Sequence, residues 1–110
     1  MRAKRTDANH TDVKGWYEAL FCSVVDTHEV GHGFGDLLVG IAGINDIVEV
    51  KTEAGRLEAS QIAFKRDWRG RKPVVVSTQA DVLNHVQRVR EEVSRRKFYA
   101  SADWGRTKEA

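Results

Sequence analysis

Two things are scarce in this sequence: cysteine, and long uninterrupted apolar runs. Cys22 is the one cysteine among 110 residues. It has no intramolecular partner, which excludes the disulfide scaffold of small secreted domains and fits a reducing compartment. No apolar run approaches the ~18 residues that a membrane span requires. Arg2, Lys4 and Arg5 follow Met1 where a secretory leader would need an apolar core, so the expectation is a cytoplasmic chain with no membrane contact. Without a leader, the acceptor-like triplet Asn9-His10-Thr11 carries no weight.

What is present is the composition of a folded domain. Apolar residues make up 41% and charged residues 31%, too apolar a mixture for a disordered chain. A chain of 110 residues makes one domain, 1–110, and excludes multidomain machines and most proteases with a separate substrate lobe. The net charge of +2 hides an asymmetry. Residues 1–64 sum to −4 and residues 65–110 to +6. A basic half points to a polyanion such as nucleic acid, although a run of charge is also what a solvated face looks like.

The pattern along the chain gives an order of elements. Residues 1–7 read as a loose basic arm. Val13, Trp16, Tyr17 and Leu20 then fall at i, i+3, i+4, i+7, one stripe of a helix. Cys22–Thr27, Asp36–Ile41 and Asp46–Lys51 are strand-like, the last two joined as a hairpin through Ala42-Gly43-Ile44-Asn45. Leu57, Gln61, Phe64 and Trp68 predict a second helix with a glutamine amid its apolar stripe, ended by Gly70 and Pro73. Val74–Val76 is a buried strand. Thr78 and Asp81 make a capping-box variant that opens a third helix, with Val82, Val86, Val89 and Val93 on one stripe. Residues 98–110 form an unassigned tail. Strands apolar on both sides predict a mostly covered sheet and hence an α/β layered domain.

Three local constellations invite chemistry. His28-Glu29-Val30-Gly31-His32 spells the H-E-x-x-H of zinc peptidases, in which both histidines project from one helical face. Gly31, Gly33 and Gly35 argue against a helix there, and Leu38 stands where a third ligand would be needed, so these are expected to be loop histidines. The same glycines suggest a phosphate cradle, but the loop has no P-loop lysine and runs into a strand.

The third constellation is Asp36, Glu49 and Lys51. Residues two apart on a strand share a face, so Glu49 and Lys51 point together, and a hairpin brings Asp36 to the same end. Two carboxylates with an ammonium suit hydrolysis of a phosphodiester. The carboxylates would hold Mg²⁺, a hard cation that prefers oxygen, and the lysine would steady charge on phosphate or place the attacking water. The plainer alternative is a turn-capping Asp36 and a surface Glu49–Lys51 pair. Against it stands the setting of Glu49 among Ile47, Val48 and Val50, where unpaired charge is costly.

Gly33-Phe34-Gly35-Asp36 followed by Val48-Glu49-Val50-Lys51 resembles the G-F-P-D…(D/E)-x-K signature of the PD-(D/E)xK nuclease superfamily. More narrowly it is similar to the small phage-type VRR-NUC and Holliday-junction-resolvase-like endonucleases, over about Asp7 to Leu83. The resemblance implies a restriction-endonuclease-like α-β-β-β-α-β core with a mixed sheet, here with an extra C-terminal helix. It implies a hydrolase, an endodeoxyribonuclease dependent on Mg²⁺ or Mn²⁺, with Asp36 and Glu49 as metal ligands, Lys51 as catalytic lysine and Gln61 as the supporting glutamine. The family's further acid on the first helix is matched best by Asp12, ahead of Glu18. Three positions depart from the pattern: Gly35 replaces proline, Asp12 is a methylene shorter than the usual glutamate, and no Thr-Pro opens the second helix.

The partner so implied is DNA. Lys65, Arg66, Arg69, Arg71 and Lys72, with Arg2, Lys4 and Arg5, are the candidate phosphate contacts. Trp68 and Phe98-Tyr99 are the few aromatics near these bases, which favours recognition of shape, such as a branched junction, over base readout. Paired nicks in a four-way junction would need a homodimer. The competing class is a DNA-binding or assembly module that keeps the nuclease fold without the reaction. For a phage-encoded enzyme the expected location is the host cytoplasm or nucleoid.

Overall fold

The computed structural model of the chain describes residues 2–51 and 57–109, with side chains described from 10 to 51 and from 57 to 100. The elements are α1 (Arg2–Ala19), β1 (Ser23–Asp26), β2 (Leu37–Ile41), β3 (Ile44–Val50), α2 (Ala59–Asp67), β4 (Val74–Val76) and α3 (Gln79–Glu109). The strands form one mixed sheet in the order β1-β2-β3-β4, the first two pairings antiparallel and β3–β4 parallel. This is an α/β architecture, compatible with an α-β-β-β-α-β core followed by a C-terminal helix.

The local signals act where the sequence puts them. In α1, Val13 and Tyr17 are fully buried while Trp16 and Leu20 pack against the same core. The helix stops in a paired closure: Phe21 N–H donates to Glu18 O and Cys22 N–H to Tyr17 O, with Phe21 at φ +64°. At the start of α3, Asp81 N–H donates to Thr78 Oγ1 (3.1 Å), and Thr78 N–H donates back to Asp81 Oδ2 (3.1 Å). Val82, Val86 and Val89 of α3 are buried and Val93 partly so. Each fully buried valine contributes on the order of 1.5 kcal/mol.

Two expectations are corrected, and a stretch left unassigned is placed. Residues 2–7 are not a loose arm, Met1 lying outside the described residues: α1 begins at Arg2, in a stretch of helix-forming Ala, Lys and Arg without Gly or Pro. The tail from residue 98 continues α3 to Glu109, again with no proline to stop it. The hairpin loop is Ala42-Gly43 alone, both at positive φ, and Ile44 and Asn45 already pair with Ile41 and Gly40.

The sheet is also covered unequally. Strand alternation puts Leu37, Val39, Ile41, Val48 and Val76 on one face, under α1 and α3. On the other face no residue of α2 is fully buried, and Val25 (58% exposed) and Val75 (36%) meet solvent among the described residues. No described helix is long and apolar enough to cross a membrane.

Candidate active site

The site lies where β2 begins and β3 ends. Register pairs Leu37 with Val48, yet the Asp36 N–H also donates to Val48 O (2.9 Å). Two residues of one strand thus face one of its neighbour, the geometry of a bulge. On its other side Asp36 O accepts from Thr27 N–H (2.8 Å), so the main chain of Asp36 is held from both strands. Its carboxylate turns inward, and Oδ2 accepts the Val50 N–H at 2.7 Å. That amide lies past the start of β2 and would otherwise lack a ladder partner.

Gly35, where the resembling family carries proline, sits at φ +117°, a conformation that a pyrrolidine ring fixed near −65° cannot adopt. A Cβ at Gly35 would come within 2.7 Å of Ile47 Cγ2. The departure from the motif is therefore matched by a different path of the loop. Gly33 is just as close to the next element, since a Cβ there would fall 2.2 Å from Ser60 O at the start of α2.

Glu49 is 5% exposed. Gln61 of α2 donates through Nε2 to Glu49 Oε1. The same glutamine accepts the Glu58 N–H on its Oε1 (2.8 Å), so one side chain both caps α2 and grips the carboxylate. A polar residue in an otherwise apolar helical stripe is thereby accounted for. Burial pushes the Glu49 carboxyl well above the usual range. A hydrogen bond with Asp36 and the Asp36 charge add to this, and the Lys51 ammonium opposes it. Lys51 is half-buried, and its N–H donates to Val76 O (2.9 Å), which carries the parallel pairing one residue past β3.

Asp36, Glu49, Lys51 and Gln61 are thus brought together. Asp36 and Gln61 also line a polar cleft of about 270 Å³, together with His28, Gly33, Phe34 and Glu58. Two carboxylates crowded in a partly buried place, with a cleft at hand, form an all-oxygen donor set that suits a hard divalent cation.

The structure does not bring Asp12 into this group. Asp12 is exposed and lies about 200° around α1 from His10. It is His10 that approaches the loop, its Nε2 3.4 Å from Asp36 O. Glu18 points to solvent with Lys14 (4.0 Å). Residues 28–36 form turns in which Gly31 and His32 have positive φ, so His28 and His32 do not project from one helix as a zinc peptidase requires.

Of the basic candidates, Arg71 is committed elsewhere. Its Nε donates to Asp46 Oδ1 (2.5 Å) and its Nη1 to both oxygens of Glu92 (3.0 and 3.2 Å). Lys72 Nζ donates to the Arg66 and Trp68 carbonyls (2.9 and 2.8 Å), closing the end of α2. Arg66 pairs with its neighbour Asp67 (2.7 Å) at the surface. Lys65 and Arg69 are exposed. Arg2, Lys4 and Arg5 fall on α1, and their side chains lie outside the described residues.

Sequence reasoning missed His10 and Asp26, and weighed His28 only with His32 as a zinc-peptidase pair; the three converge beside the loop. A signal was present for His10, which extends the Val13–Tyr17 stripe backward by three residues. No family model matches this chain, and no curated protein and no solved structure matches it significantly.

Proposed function

We propose that the chain is a metal-dependent endodeoxyribonuclease that hydrolyses DNA phosphodiesters, with branched DNA as the preferred substrate and a homodimer as the working form. The observation that carries this is the convergence of Asp36, Glu49, Lys51 and Gln61, of which Asp36 and Gln61 line a polar cleft. Asp36 and Glu49 would hold Mg²⁺ or Mn²⁺. Such a cation, when bound, lowers the pKa of a coordinated water and offsets charge at the phosphate.

The chain's own residues do the rest. Val50 N–H fixes one oxygen of Asp36, and Gln61 fixes one of Glu49, so the pair is oriented before substrate arrives. Lys51, on the same strand face as Glu49, supplies a positive charge for the phosphate oxygens. Along α2, Phe34 meets Phe64 edge to face and Phe64 stacks on Trp68 (ring centroids 5.6 and 5.0 Å apart), a row that leads from the cleft to the exposed Lys65 and Arg69. A 40% exposed Trp68 beside basic residues suits an unpaired base at a branch point.

The deciding experiment is a Mg²⁺ and Mn²⁺ titration of cleavage on labelled four-way junction, flap, duplex and single-stranded DNA, with Glu49→Gln beside the wild type. Cation-dependent cleavage that falls about 100-fold or more in the variant is expected. Paired nicks in the junction would favour the dimer. DNA binding without cleavage, equal in both proteins, would overturn the enzyme and leave a DNA-binding module.

A further inference from the structure

A second cluster of ligating side chains lies on the other side of the sheet end. Asp26 closes β1 and, by its pairing with Leu37, faces the side that carries α1 and α3. Glu49 alternates with Val48 and so faces away from it. His10 comes from α1 and His28 from the first turn of the loop. One ligand atom from each of His10, Asp26 and His28 lies within 4.8 Å of the other two. His28 Nδ1 is 2.7 Å and His10 Nε2 3.8 Å from the same oxygen, Asp26 Oδ1. The two imidazole rings stand edge to face, 5.8 Å between centroids.

We propose that His10, Asp26 and His28 form a binding site for a transition-metal cation of the Zn²⁺ type, separate from the Asp36–Glu49 pair. The donor set decides the class of ion. Two imidazoles and one carboxylate favour Zn²⁺, Co²⁺ or Ni²⁺ over Mg²⁺, which takes oxygen ligands and keeps its waters. A bare surface pair accounts for His28 with Asp26 alone. It does not account for His10, which arrives from another element, is 17% exposed and directs Nε2 at the same carboxylate. The contact of His10 with Asp36 O, at 3.4 Å, is long enough to be exchanged for a metal bond.

Occupancy would clamp three elements: the middle of α1, the end of β1, and the loop that carries Gly33, Gly35 and Asp36. The cation would thus brace the loop behind Asp36, and through His28 it would stand at the edge of the cleft that Asp36 and Gln61 line. The site does not depend on the nuclease proposal, because its ligands and its assay are its own.

The test is titration of the tag-free full chain with Zn²⁺, Co²⁺ and Mg²⁺, followed by calorimetry, by the visible absorption of Co²⁺ and by the thermal midpoint. One Co²⁺ or Zn²⁺ per chain should bind and raise the midpoint, while Mg²⁺ at equal concentration should not reproduce the Co²⁺ spectrum. His28→Ala, at an exposed position, and His10→Gln should each weaken binding at least about tenfold. Glu49→Gln should leave the Co²⁺ spectrum unchanged. Equal Zn²⁺ affinity in wild type and His28→Ala would overturn the site, as would no binding by about 1 mM. Loss of Co²⁺ binding in Glu49→Gln would place the ion at the acidic pair, overturning this site while leaving the nuclease proposal standing.

Discussion

Glu49 shows what a single side chain gives up for position. It is buried, accepts one hydrogen bond from Gln61, and shares another with Asp36, whose charge disfavours its own. A carboxyl whose pKa rises on folding weakens the fold as pH climbs above the unfolded value of about 4.3. Glu49→Gln is therefore expected to melt a few degrees above the wild type at pH 8, a gap that closes toward pH 4. Thermal melts of both proteins across that range, without divalent cation, check it. A variant that melts lower at pH 8 would mean that Gln61 and Val50 hold the pair without strain. The basic side chains divide in the same residue-by-residue way. Arg71→Ala should lower stability, since it strips a buried Asp46 of a partner, whereas Lys65→Ala and Arg69→Ala should leave the melt unmoved. In the proposed nuclease the latter two should weaken DNA binding and flatten its salt dependence. Gel-shift titrations at two salt concentrations, with melts alongside, separate the two kinds of basic side chain.

Among the elements, α1 ends in a closure whose hydrogen bonds are those of a glycine stop, but with phenylalanine at the left-handed position. Phe21 is 94% exposed there, so its ring gains little burial to offset the backbone cost. Phe21→Gly should stabilise the chain by about 1 kcal/mol, or raise the thermal midpoint by about 4 °C. An unchanged or lower midpoint would show that the ring contributes through a partner, and a second copy of the chain would be the first to test. At the start of α2, Glu58 and Gln61 show an element boundary and a candidate site residue sharing one side chain. Loss of Gln61 would loosen both.

Across the whole molecule, a buried polar chain ties the layers together. Tyr17 of α1 meets His85 Nδ1 of α3 at 2.7 Å, and His85 Nε2–H donates to Asp46 Oδ2 of β3 at 2.8 Å. Arg71, before β4, then joins Asp46 to Glu92 of α3. Burial raises the Asp46 carboxyl, but the bonds from His85 and Arg71 outweigh it and hold the group at about 2. The folded value lies below the unfolded one, so this contribution of about 2 kcal/mol is complete above pH 4 and is lost as pH falls through 2. Urea unfolding from pH 7 to pH 2 should show that loss in the wild type. In Asp46→Asn, already weakened at pH 7, the same acid slope should be shallower. Equal slopes would move the acid sensitivity to other carboxylates.

The sequence alone determined whatever depends on near neighbours along the chain. Alternation placed Glu49 and Lys51 on one face, the 3.6-residue period gave the buried stripes of α1 and α3, and Thr78 with Asp81 marked the cap of α3. The odd glutamine at position 61 was visible for the same reason. Tertiary structure decided which distant residues meet. The bulge at Asp36 depends on both neighbouring strands, and the choice of His10 over Asp12 depends on how α1 lies across β1. Arg71 was legible only as one base in a basic run, because Asp46 stands 25 residues before it and Glu92 21 after it. Periodicity fixes the direction of a side chain relative to its own element, and only the packing of elements against one another fixes what that direction points at.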